Sequence, residues 1–347
     1  MVVVGHWCRA DRLAVFALEI IGADFCPVFL PFLRVDLYSA PEHTFAHTNT
    51  LMPMAEEPPV PIAPIAPATT FSYLQEPLKD LAAWTQFFLK AEFSVLAATS
   101  LALEELRAKE EDVNASMLAD VIDTDPFLTM KVLAYVSAKR RNTESTQTET
   151  VVTSLVMMGV APFFRTFGLQ PTVEDHLRSQ PAALEVLLRL MKRAQRAAHF
   201  ATGFAVHRGD TDVAVIRQAA FLNDFAEMLM CCYAPTMEIE IRAMQQANPT
   251  LRTASLQRFV FNIDLSDLRL ELMKHWRFSE LLQRISDGKH PEHPSVRSAL
   301  LAARLARHTE NGWDNAALPD DFEDISKLLN STPRATRGFV YKIDQGG

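Results

Sequence analysis

From about residue 78 to residue 330 the apolar positions recur every three or four residues, the spacing that gathers them on one face of an α-helix. Leu78, Leu81, Trp84, Phe88 and Leu89 form one such stripe, and Leu96, Leu103 and Leu106 form the next. Asn114 or Ser116 can cap a short helix through Met117, Leu118, Val121 and Ile122 that ends around Thr124. Asp125 is then a good N-cap for a helix carrying Leu128, Val132, Leu133 and Val136. Pro126 fits its first position, where the missing N–H has no partner to lose. A polar connection covers 138–150, an apolar helix runs from Val151 to Met158, and Gly159 stands where a positive φ is wanted, with Pro162 opening the next short helix.

The polar, proline-bearing stretch 170–182 reads as a joint between two helical lobes. Beyond it helices are expected at 182–206, 212–233, 236–247, 253–261, 265–274, 277–287, 295–309 and 320–330, separated by residues such as Gly209, Pro235, Pro249, Pro291 and Pro319. Residues 332–347 are short and polar and are expected to fray as a flexible tail.

The first 70 residues lack this pattern. Six prolines lie between Pro53 and Pro67, which holds 53–70 extended as a linker. For residues 1–52 two readings stand open: a disordered or poorly ordered extension, or upstream sequence added by a misassigned start, with Met52 or Met54 as the true one. The domain organisation expected is therefore the extension, the linker, a helical domain at 71–331 with lobes 71–170 and 182–331, and the tail.

Composition narrows the function. The 347 residues hold only 11 glycines beside 20 prolines, few for tight hairpins or phosphate loops, so the fold class is all-α. Thirty-four Lys and Arg against 42 Asp and Glu give a net charge of −8, the reverse of a nucleic-acid footprint. The most apolar stretch, Leu13 to Leu33, is interrupted by Glu19, Asp24, Pro27 and Pro31, so neither a membrane span nor an export signal is expected. Cys8, Cys26, Cys231 and Cys232 have no metal-ligand or disulfide-framework spacing, which points to the cytoplasm. No Gly-x-Gly, Cys-x-x-Cys, His-Glu-x-x-His or Gly-x-Ser-x-Gly occurs. His43 and His47 lie four apart without a third ligand, His290 and His293 read as a solvated turn, and His199 reads as packing on a helix face. Lys139-Arg140-Arg141 and the acidic run 104–112 read as solvated surfaces.

The runs MLADVIDTDPFLTMKVLAYVSA (117–138) and VVTSLVMMGVAPFFRTFGL (151–169) resemble the HDOD family of bacterial signalling domains, with Asp125, Pro126, Leu128, Leu133 and Gly159 in the positions that carry the pattern. The likeness covers roughly 85–330. Two departures are visible: Val136-Ser137 stands for the usual Asn-Ser, and Met158 precedes Gly159. In the second half IRQAAFLNDFAEML (216–229) resembles the family's Gly-Leu-Leu-His-Asp-Ile-Gly segment, and Trp276, after His275, stands where a family tryptophan ends a later helix. The resemblance implies a two-lobed, multi-helix HDOD/HD-like bundle. Phosphohydrolases of the HD superfamily hold a divalent metal through a His-Asp doublet. Here the doublet is Asn223-Asp224, no histidine of the chain is followed by aspartate, and an amide is a poor replacement for imidazole. The resemblance therefore implies a non-catalytic regulator with no cofactor and no metal. It would act through protein partners of a signalling pathway, with self-association left open and the groove near Asn223 and Asp224 as the surface of choice. The alternative is a divergent metal-dependent phosphohydrolase of a nucleotide or cyclic dinucleotide.

Overall fold

The computed structural model describes residues 72–139, 150–248 and 250–346. The extension, the proline linker, His43 and His47, and Arg140-Arg141 lie outside them. The described residues are helical throughout, apart from a single parallel bridge between Val95 and Thr172.

The helices fall into two cores. The smaller is built from α2 (Ala97–Arg107), α3 (Ala115–Ile122), α4 (Pro126–Lys139), α5 (Val151–Met158) and α6 (Val160–Thr166) around Leu103, Leu118, Ile122, Leu128, Val132, Leu155 and Phe163. The larger surrounds the 28-residue α8 (Pro181–Arg208), which follows the single-turn α7 (Val173–His176). α8 starts on a proline at the position where an N–H is dispensable and stops at Gly209, left-handed at φ 69°. Around it lie α9 (Val213–Phe221), α10 (Phe225–Tyr233), α11 (Pro235–Ala247), α12 (Thr253–Phe261), α13 (Leu265–His275), α14 (Glu280–Asp287), α15 (Pro294–His308), α16 (Leu318–Leu329) and α17 (Pro333–Gln345).

Three expectations need correction. The helix predicted to open the amino-terminal lobe, α1 (Leu81–Phe88), joins the larger core: the Trp84 indole N–H donates to the Phe261 carbonyl at 3.0 Å and its ring meets the Phe261 ring edge-on. Spacing alone cannot say which of two apolar cores a stripe will find. The flexible tail is instead α17. Thr332 caps it, Val340 is buried, Asp344 receives a two-pronged contact from Arg196, and Ile343 sits where Gly203 leaves room on α8. Its apolar residues are few, but they share one face. Finally, the helix expected over 212–233 is two helices, broken at Leu222-Asn223-Asp224.

The signature residues of the first lobe have structural work. Asp125 is fully buried, and its Oδ1 accepts from the backbone N–H groups of Phe127 (2.9 Å) and Leu128 (3.1 Å), capping α4. Its Oδ2 accepts from the N–H of Leu96 at 2.7 Å, at the N-terminus of α2. One carboxylate therefore ties two helix ends together. Burial raises its pKa, and these hydrogen bonds oppose the rise. Pro126 and Leu128 are buried in the first turn of α4, as the capping pattern requires. Gly159 joins α5 to α6 at φ 83°, ψ 156°, a region essentially closed to side-chain-bearing residues. Trp276 caps the end of α13 and packs against Phe93 ahead of α2 and Phe225 at the head of α10, all at the larger core.

Candidate functional site

The break between α9 and α10 places Asn223 and Asp224 on a turn whose backbone leaves the helical ladder. Asp224 is nearly fully buried, so its charge must be met within the protein. Arg193, from the middle of α8, donates through Nε to Asp224 Oδ2 at 2.7 Å. Arg307, from the last turn of α15, donates through Nη2 to Oδ1 at 2.8 Å, and the Asn223 side-chain amide donates to the same oxygen at 2.7 Å. Arg269 of α13 completes the ring. Its Nη1 reaches both the backbone carbonyl and Oδ1 of Asn223 at 2.6 Å, and its Nη2 reaches the Ser286 carbonyl at 2.7 Å.

The network extends inward. Arg193, 3% exposed in its side chain, also donates to Glu227 Oε2 at 3.1 Å and to Glu310 Oε2 at 3.0 Å. Arg242 of α11 donates to Glu227 Oε1 at 2.6 Å and to Glu238 Oε1 at 3.1 Å. Four guanidiniums and four carboxyl groups thus interlock. The arginines beside Asp224 hold its carboxyl well below the usual carboxylate range despite burial. Glu238 behaves oppositely: burial first, and then the neighbouring Glu227, push its carboxyl up to about 8, and its Oε2 is buried without a hydrogen-bond partner. Burial and the neighbouring Glu227 thus favour its protonated form, beside the anions Asp224, Glu227 and Glu310. Burial and the adjacent Arg307 lower the pKa of Arg269.

Asn223 and Arg307 also form the wall shared by two open clefts. The smaller, about 630 Å³, reaches Arg269, Gln257 and Ser266. The larger, about 1240 Å³, runs along α15 past Arg297, Leu300, Leu301 and Arg304.

A divalent metal does not fit these residues. Both oxygens of Asp224 are already engaged by donors, the Asn223 carbonyl oxygen faces Arg269, and three guanidiniums surround the place a cation would take. Like-charge repulsion and the loss of those hydrogen bonds oppose any metal there. Among the described residues no three His, Cys, Asp or Glu side chains gather as metal ligands would.

The sequence placed Asn223 and Asp224 together at the site, while Asp125, Pro126, Leu128, Gly159 and Trp276 lie elsewhere in structural roles. The arginines were missed. Their signal is a cation within an apolar stripe: Arg193 follows Leu190 and precedes Ala197, and Arg269 stands four after Leu265 and three before Leu272, all buried.

The helical fold has solved counterparts. The MmoQ response regulator from Methylococcus capsulatus str. Bath is 19% identical, with 73% of this chain and 99% of that chain covered at a TM-score of 0.55. A virulence factor from Campylobacter jejuni subsp. jejuni is 16% identical, with 75% and 94% covered at a TM-score of 0.52. At such identities the likeness is one of fold. No curated protein matches the chain by sequence. Fold and site together define an HD-like helical domain in which arginines surround Asn223 and Asp224. The HDOD domain model matches residues 96–291, more than half the length, and the chain belongs to the HDOD family. Arg307 and Glu310 lie beyond that match, so the segment after it supplies part of the ring around Asp224.

Proposed function

We propose that the protein is a non-catalytic signalling module that works through contacts with protein partners. The carrying observation is the state of Asp224: both oxygens of the one carboxylate of the doublet already accept from Arg193, Arg307 and Asn223, and it has no proton to exchange near neutral pH. The neighbouring guanidiniums repel the cation that an HD-type hydrolysis needs. Contact with another protein is supported by α5, whose outward face carries the exposed Val152, Val156 and Met157, a cluster of apolar side chains that water solvates poorly.

The test is metal content and turnover on the same sample. Purified protein loaded with Mn, Fe or Zn and then dialysed is expected to retain well under one metal per chain and to release no phosphate from mononucleotides or cyclic dinucleotides above buffer. One retained metal per chain with turnover that Asp224→Asn abolishes would overturn the reading. For partner contact, a binding partner captured by the wild type should be lost on Val156→Glu, while the circular dichroism spectrum is unchanged.

A further inference from the structure

The clefts on either side of Asn223 hold features the ion-pair network does not use. Arg307 is 44% exposed in its side chain and makes one hydrogen bond among the described residues, through Nη2, which leaves the Nε and Nη1 donors for something else. Arg269 is buried, lines the smaller cleft, and carries an Nε–H without an acceptor. An unpaired buried donor on a charged group is costly, so an acceptor brought to it would recover energy already spent. The two guanidiniums are close enough to repel each other.

Most carboxylates around the clefts are taken by arginines, while Glu292 at the larger cleft is turned on His290. Asp224 is held by Arg193 and Arg307, Glu227 by Arg193 and Arg242, Asp264 by Arg258, and Asp324 by Arg304. An incoming anion therefore meets the Nε and Nη1 donors of Arg307, which no carboxylate occupies. The larger cleft adds a second quality. On α15 the positions 297, 300, 301, 304 and 307 share one face, so guanidiniums alternate there with Leu300 and Leu301. That wall offers apolar contact beside the charge.

We infer that the paired clefts at Asn223 bind a small organic phosphate, its dianionic group received by Arg307 and Arg269 and its carbon body lying against Leu300 and Leu301. The guanidinium fork matches a phosphate group, and two converging cations favour a dianion over a monoanion. This deepens the proposed function, on which it rests: a domain that binds an organic phosphate and leaves it intact gives a signalling module an input.

The experiment is calorimetric titration of the full chain with adenosine 5′-monophosphate, glycerol 3-phosphate, inorganic phosphate and citrate at fixed salt, followed by chromatography of the recovered ligand. Saturable binding of an organic phosphate is expected, weakened about 10- to 100-fold by Arg307→Gln, the loss of one charge-assisted contact. Arg337→Gln on α17 should leave it unchanged. Arg307 is half exposed, so its variant should fold; coincident urea midpoints check this. No saturable binding by the wild type up to about 10 mM, a range that already admits very weak ligands, or binding indifferent to Arg307→Gln, overturns the inference. Preference for citrate assigns the site to carboxylates and overturns the phosphate assignment. Recovery of a hydrolysed ligand leaves the binding site standing and refutes the non-catalytic reading.

Discussion

Arg193→Met tests whether the buried ion network holds the larger core together. The arginine spans three carboxylates on three segments, Asp224 at the helix break, Glu227 on α10 and Glu310 after α15, at 2.7 to 3.1 Å. Methionine retains much of the apolar stem's volume, so the substitution removes charge more than packing. Asp224 keeps Arg307 and Asn223, Glu227 keeps Arg242, and Glu310 can turn to water. Two buried carboxylates thus lose one of their partners each, and breaking a buried pair from one side costs about 3–5 kcal/mol, against 0–1 kcal/mol for an exposed pair. For a domain of this size that is a fall of roughly 10 °C in melting temperature. The acid limb should change as well. Asp224 has its folded pKa depressed below 3.8, so its contribution is complete above that value and is lost as pH falls through the folded pKa. Without Arg193 the depression shrinks, so the variant's carboxyl takes up its proton at a higher pH than the wild type's, and the variant's deficit should begin to narrow as pH falls through the variant's folded pKa. Urea midpoints of wild type and variant from pH 3 to 8 measure both effects. A loss under about 1 kcal/mol at pH 7 would show that the network behaves as a solvated one and would refute the reasoning.

Other substitutions probe the remaining devices. Glu238→Gln should flatten a pH dependence. With its folded pKa raised from 4.5 to about 8, Glu238 contributes stability that is full below the unfolded value and lost as pH rises through the folded one, so the variant's midpoint relative to wild type should rise between pH 5 and 9; a parallel pair of pH curves would contradict this. Asp125→Ala strips the caps of two helices and leaves the Leu96 N–H unmet, for an expected loss of about 2–4 kcal/mol, while Asp125→Asn, keeping one acceptor, should recover part of it in the same denaturation assay. At Gly203 an added Cβ would stand 2.3 Å from Ile343 Cδ1, so Gly203→Ala should lift α17 from α8 despite its better helix propensity, seen as faster proteolytic loss of the last 15 or so residues.

Much of the fold was legible because local chemistry fixes it. Asn114, Asp125, Pro126, Pro181, Gly159 and Gly209 each impose a boundary through hydrogen bonding or dihedral preference within a few residues, and the boundaries they imply fall within two residues of those observed. The helix break at Asn223 was not legible, because Ile216 to Leu229 is a continuous helix-compatible stripe. The interruption comes from Asp224 turning toward Arg193 and Arg307, 31 and 83 positions away. Position 193 stands in an apolar stripe, which marks a cation among buried neighbours but not the partners it meets. Only the convergence of α8, α10 and α15 makes it a buried countercharge.

The sequence by itself determined a helical protein, since residue type and short-range spacing suffice for that, while only a resemblance set Asn223-Asp224 at the position of a metal-binding doublet. What only the tertiary structure decided is what meets that pair. Guanidiniums from three distant helices meet the Asp224 and Asn223 side chains, and Arg269 and Arg307 also line the clefts beside them; these are properties of distance and burial, which no local pattern carries.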